Sequence, residues 1–237
     1  MTQLNAIMPG GGISRRSLHI FILADCSGSM KIDGRMQALN YAIASITPQL
    51  ISWEKEQEQA QIFIRAVAFA DNATWHIQTP EPIATFNWPP LNHVEKGLTA
   101  MGEAIRLVAD ALSPEKFEPR ALRPVILLIT DGKPTDIDQF EIGIKELFSN
   151  PVGKASIRLA IAIGQGANFS FLNRFINDAD IPVMVAENAD QIVVKLTAAT
   201  LAISKMSSIG SDRKEVAEQV IMPEANEFGV GDEGTIV

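Results

Sequence analysis

The stretch that decides the fold is Leu18-His19-Ile20-Phe21-Ile22-Leu23-Ala24-Asp25-Cys26-Ser27-Gly28-Ser29-Met30. Residues 18–24 are apolar almost without break, and polar oxygen side chains follow at once. A run apolar at both odd and even positions is a strand buried on both faces, which suits a parallel sheet covered by helices. The same grammar returns at 125–130 (VILLIT), followed by Asp131-Gly132. Further buried runs stand at 62–69 (IFIRAVAF), 157–163 (IRLAIAI) and 182–186 (PVMVA). After Asp71-Asn72, residues 73–78 read as a strand returning antiparallel to 62–69 at the sheet edge.

Between these strands the apolar residues recur at steps of three and four, the period of a helix face. Met36, Leu39, Ile43, Ile46, Leu50 and Trp53 form the first stripe, in which Pro48 is expected to kink the helix or split its last turn. Met101, Ile105, Val108 and Leu112 form the second. Ile137, Phe140, Ile144, Leu147 and Phe148 form the third, of which Phe140, Leu147 and Phe148 read as core. Leu172, Phe175 and Ile176 form a short fourth, and Ile192, Leu196, Ala199, Ile203 and Met206 the last. Strands alternating with helices predict an α/β, Rossmann-like doubly wound fold, with a mostly parallel sheet, one antiparallel edge strand and helices on both faces.

The chain has 237 residues, 46% hydrophobic and 20% charged, with a net charge of −8. That supports one sizeable core. An acidic balance argues against nucleic acid as the main partner. No apolar run approaches the ~18 residues of a membrane span, and residues 1–16, with Pro9-Gly10-Gly11-Gly12, read as a flexible leader rather than a signal peptide. A single cysteine, Cys26, excludes an internal disulfide and suits a reducing, cytoplasmic compartment. Residues 17–206 then form the folded domain. Residues 207–237 hold seven acidic and two basic residues, −5 of the −8, and read as a solvated, disordered tail.

The chemistry gathers at strand ends. Asp25, Ser27 and Ser29 follow the first strand, Asp131 follows VILLIT, and Thr99 precedes the second helix. In an open α/β sheet, ligands bind at the carboxyl ends of the strands, at the point where strand order reverses. If the strands ending at Asp25 and Asp131 are neighbours there, the two carboxylates converge. Two carboxylates and three hydroxyls are hard donors and select Mg²⁺ first, then Mn²⁺ or Ca²⁺. Two carboxylates only neutralise the ion, so the neutral hydroxyls leave it electrophilic toward an incoming anion.

Asp-x-Ser-x-Ser after a buried strand, a later Thr, and Thr-Asp-Gly after another strand together resemble the metal-ion-dependent adhesion site (MIDAS) of von Willebrand factor A domains. The likeness spans about residues 17–206, and all five positions are present: Asp25, Ser27, Ser29, Thr99 and Asp131. It implies that Ser27 and Ser29 touch the metal, that Thr99 and Asp131 exchange direct and water-bridged roles, and that Asp25 acts mostly through water. A partner's carboxylate would take the open position. More narrowly, FILADCSGSM (21–30), ITDGKPTD (129–136) and RLAIAIGQGAN (158–168) resemble the bacterial tellurium-resistance TerY-like group. That resemblance implies a Ser/Thr kinase-like protein and a PP2C-type phosphatase as neighbours. Thr235 in the tail, with Ser207, Ser208 and Ser211 behind it, and Thr99 become candidate phosphate acceptors. The tail could also place Glu233 or the terminal carboxylate on the metal as a competitor.

Blander roles are open to the same residues. Thr99 could cap the 101–112 helix, and Thr135 and Asp138 read as the cap of the helix that follows them. Cys26 reads as a small buried filler. Gly164-Gln165-Gly166 lacks the third glycine of a dinucleotide loop. The rival to a binding module is a phosphohydrolase or phosphotransferase using the Asp25/Ser27/Ser29 loop. It needs a base within reach of the nucleophile. His19 lies six residues before Asp25 on one strand, ~20 Å away at ~3.3 Å per residue. His76 falls on the edge hairpin, leaving His93 as the histidine able to approach.

Overall fold

The computed structural model describes residues 15–57, 60–164 and 166–207. The expected leader (1–16) and tail (207–237) lie outside these residues, apart from 15, 16 and 207.

Strand β1 (Arg16–Asp25) leads through a short 3-10 segment into helix α1 (Arg35–Glu56). Strands β2 (Ala60–Phe69) and β3 (Ala73–Pro82) form the hairpin. There follow α2 (Met101–Ala111), β4 (Val125–Thr130), α3 (Ile137–Ser149), α4 (Pro151–Ala155), β5 (Ile157–Ile163), α5 (Phe169–Ile176), β6 (Met184–Ala186) and α6 (Ala189–Ser207). The sheet order is β3-β2-β1-β4-β5-β6, parallel except for β3, which runs antiparallel to β2 at the edge. The fold is thus the expected mixed α/β sheet.

Every residue of β4 and β5, and of β1 from Leu18 onward, is buried. Both faces of these strands are therefore covered, by helices that pack as two groups, α1 with α6 and α2 with α3. The chain leaves β1 toward β2 on one side and β4 toward β5 on the other. The reversal point is the β1–β4 pair, in register from Ile20↔Val125 to Ala24↔Ile129.

Two expectations need correction, and one helix is additional. Helix α1 runs on through Pro48 to Glu56, so the split of its last turn, one of the two outcomes expected of Pro48, does not occur. Pro48 and Ala44, four residues before it, are both exposed, so the Ala44 carbonyl that loses its N–H partner can turn to water. Phe148, read as core, is only half-buried, whereas Phe140 and Leu147 are buried, and Ile137 at the start of the stripe is 50% exposed. Helix α4 was not expected, although Asn150 followed by Pro151 spells a start signal. The Asn150 side chain accepts from the N–H groups of Val152 and Gly153.

Candidate metal centre

Asp25 ends β1, and Thr130 ends the neighbouring β4. The Thr130 hydroxyl donates to Asp25 Oδ2 at 2.5 Å, and the Ser27 N–H donates to Oδ1 at 2.8 Å. Asp25 is fully buried. Burial pushes its carboxyl up to about 6, against the hydrogen bonds from Ser27 and Thr130, and the nearby Asp131 charge adds to the rise.

The loop after β1 turns back over the strand end. Ser27 Oγ lies 3.1 Å from Ser29 Oγ, and the Ser29 hydroxyl donates to Asp131 Oδ1 at 2.7 Å. The loop is fixed by its backbone: Cys26 N–H donates to Phe69 O (2.8 Å), Val94 N–H to Cys26 O (2.7 Å) and Gly28 N–H to Gly97 O (3.2 Å). Gly28 permits this contact, because a Cβ there would stand 3.0 Å from Lys96 N.

Thr99 is 7% exposed and is held by a reciprocal pair with Thr135. Its N–H donates to Thr135 Oγ1 (3.0 Å), and its carbonyl accepts from Thr135 N–H (3.0 Å). Its hydroxyl faces the Asp131-Gly132 turn, 3.5 Å from where a Cβ on Gly132 would sit. Thus Asp25, Ser27, Ser29, Thr99 and Asp131 all meet at the reversal point. Thr235 lies outside the described residues.

The capping expectations change. Thr99 does not cap α2, and neither Thr135 nor Asp138 caps α3 with its side chain. Instead Asp136 reaches across to accept from Gly102 N–H (3.1 Å) and Glu103 N–H (2.9 Å) at the start of α2. A carboxylate at a helix N-terminus satisfies free N–H groups and meets the positive end of the dipole. The Thr135-Asp136 pair therefore ties the β4–α3 turn to the Thr99 loop.

Sequence reasoning missed Arg35. Its Nη1 donates to Asp131 Oδ2 at 2.8 Å, the oxygen opposite the one Ser29 holds. The available signal was an arginine at the first position of a helix, where the dipole disfavours a cation. Gly164 and Gly166 were also undervalued. A Cβ on Gly164 (φ +65°) would stand 2.8 Å from Arg35 Nη2, and one on Gly166 2.6 Å from the Asp131 carbonyl. These glycines allow close approach to the centre.

The donor set fits a hard divalent cation. It offers two buried carboxylates and three hydroxyls, and no described residue hydrogen-bonds to the Thr99 hydroxyl. Among the described residues there is no cluster of three or more His, Cys, Asp and Glu side chains placed to hold a metal ion.

No family model matches the chain, and no curated protein does. Solved structures do match. Proximal thread matrix protein 1 (PTMP1) of the mussel byssus, in a structure with a zinc-occupied MIDAS motif, is 16% identical with a TM-score of 0.61, over 81% of this chain and 48% of that one. The von Willebrand factor type A protein of Catenulispora acidiphila is 17% identical with a TM-score of 0.58, over 81% and 43%. BatB of Bacteroides thetaiotaomicron is 15% identical with a TM-score of 0.51, over 80% of this chain and 98% of that one. The chain spans about half the length of the first two. At such identities the likeness is one of architecture, and the chain has the α/β fold of von Willebrand factor A proteins.

Proposed function

We propose that this protein is a non-enzymatic, metal-dependent protein-binding module. A divalent cation, Mg²⁺ before Mn²⁺ or Ca²⁺, is held by Asp25, Ser27, Ser29, Thr99 and Asp131 as a complete MIDAS. The bound cation offers an open, Lewis-acidic position to a carboxylate or phosphate of a partner protein. The observation that carries this reading is the meeting of these five oxygen-bearing side chains, from three distant segments, at the β1–β4 reversal point. The zinc-occupied MIDAS of PTMP1 supports it by fold analogy.

A binding role is favoured over hydrolysis. Among the described residues no histidine or lysine hydrogen-bonds to Ser27 or Ser29. His76 Nε2 is engaged with the Pro89 carbonyl at 2.7 Å, and His19 is buried on β1. The TerY-like resemblance further suggests a bacterial, cytoplasmic stress or tellurite-resistance setting, with the kinase-like and PP2C-type neighbours as partners. In that setting Thr235 is the readier phosphate acceptor, since Thr99 is buried and its loop would have to open.

The test is thermal melting with excess Mg²⁺ and with EDTA. Bound metal stabilises by ~2.7 kcal/mol when its free concentration is 100 times its dissociation constant. The wild type gains this, and Ser29→Ala does not, while both remain folded in EDTA. Equal melting of the wild type in both conditions overturns the metal centre. Turnover of simple phosphoesters that Ser27→Ala abolishes would establish the enzymatic alternative instead.

A further inference from the structure

We infer that Arg35 makes the centre an oxyanion receptor: its guanidinium weakens the hold on a bare cation and gives a seated cation's ligand a second point of attachment. This rests on the metal reading above.

Arg35 opens α1, where the helix dipole disfavours a positive charge, so its place needs another cause. Asp131 supplies one, with its side chain fully buried and Arg35's 19% exposed. The guanidinium spends Nη1 on Asp131 Oδ2, and Nη2 lies in a slot that only glycine at 164 leaves open. Among the described residues its other N–H groups have no hydrogen-bond partner, and the side chain is 19% exposed. Those groups form a planar fork suited to two-oxygen anions.

Charge counting gives the consequence. Asp25 and Asp131 supply −2, a divalent cation +2 and Arg35 +1, so the loaded centre carries +1. Without the arginine it would be neutral. Arg35 repels the incoming metal yet attracts an anion once the metal is seated. Metal and anion binding are therefore coupled through it. An oxyanion bridging the metal and the fork satisfies both, and carboxylate and phosphate share this chemistry.

The experiment measures Mn²⁺ affinity of the full chain by calorimetry, alone and then with millimolar acetate or inorganic phosphate. In the wild type either or both anions tighten Mn²⁺ binding, and the stronger one identifies the ligand class. Arg35→Met binds Mn²⁺ alone about tenfold more tightly and loses about tenfold of the anion's effect, within the ordinary range for coupled sites. Arg35→Lys keeps the charge and so keeps weaker metal binding. It also guards against a Met variant that fails to fold. A merely structural ion pair would not move the two affinities in opposite directions. Wild-type Mn²⁺ binding with no anion effect, or Arg35→Met binding Mn²⁺ no tighter than wild type, overturns the arginine's role alone. No Mn²⁺ binding by the wild type overturns the metal reading and this inference with it.

Discussion

Cys26 stands between two members of the candidate centre, yet its chemistry is that of the core. It is 4% exposed, and its Sγ points back toward the Ala24 carbonyl at 3.7 Å. Burial pushes the thiol from an ordinary 9.0 up to about 12, and the Asp25 charge adds to this. The thiolate is the reactive form. Near pH 8 the folded protein therefore holds roughly a thousandfold less of it than the unfolded chain, and access is closed as well. Iodoacetamide should label Cys26 at least a hundredfold faster in denaturing urea than in buffer, as mass spectrometry can follow. Equal rates would mean that the loop opens readily. At this scale the five oxygen-bearing residues were legible because three of them sit within five positions and the others follow recognisable strands. Arg35, Thr130 and Gly164 were not. Each acts through a partner far away in the chain, 96 positions for Arg35 and Asp131 and 105 for Thr130 and Asp25, and no local pattern announces such a pair.

Helices α2 and α3 meet backbone to backbone, and that contact sets where Thr99 stands. A Cβ on Gly102 would lie 2.1 Å from Phe140 N and 2.6 Å from Phe140 Cα, distances that backbone atoms cannot yield without moving. Gly143 repeats the arrangement from the other side, with a Cβ there 2.9 Å from the Gly102 carbonyl. Gly102→Ala should therefore cost ~1–3 kcal/mol or more by overpacking, despite alanine's better helix propensity. Because Asp136 holds the N–H groups of Gly102 and Glu103, the shift should also move the Thr99 loop and weaken metal binding. Urea denaturation and metal titration of the same variant test both effects. Stability unchanged within error would contradict the close packing. The parallel strands were readable as apolar runs and the longer helices as stripes, whereas β3 was placed by its turn and α4 by no stripe at all. The caps were misread because Thr135 and Asp136 serve a neighbouring loop and helix rather than their own, a tertiary use that sequence order conceals.

Across the whole molecule, charged and polar groups are placed differently toward the two ends of β1. Its carboxyl end carries the candidate centre. Nearer its amino end His19 is buried among Phe63 (5.4 Å between ring centroids), Phe117 (5.0 Å) and Phe21 (6.4 Å). Among the described residues its Nε2 has no hydrogen-bond partner, and the exposed Glu118 carboxylate stands 3.8 Å away. Burial lowers its pKa from 6.5; Glu118 works against this and Arg65 reinforces it. The folded protein thus holds His19 neutral. Above pH 6.5 both folded and unfolded states are neutral there, and no stability is lost. As pH falls below 6.5 the unfolded chain takes up a proton that the fold resists, so stability declines until the folded-state value is passed. Asp25 complicates a direct reading in EDTA, because its raised pKa sends its own contribution the other way, with stability falling as pH rises through about 6. The difference between wild type and His19→Phe removes that shared term. Melted in EDTA from pH 8 to pH 5, the wild type should lose stability relative to His19→Phe as the pH falls below 6.5. Parallel curves would mean that Glu118 and solvent already support the charged imidazole.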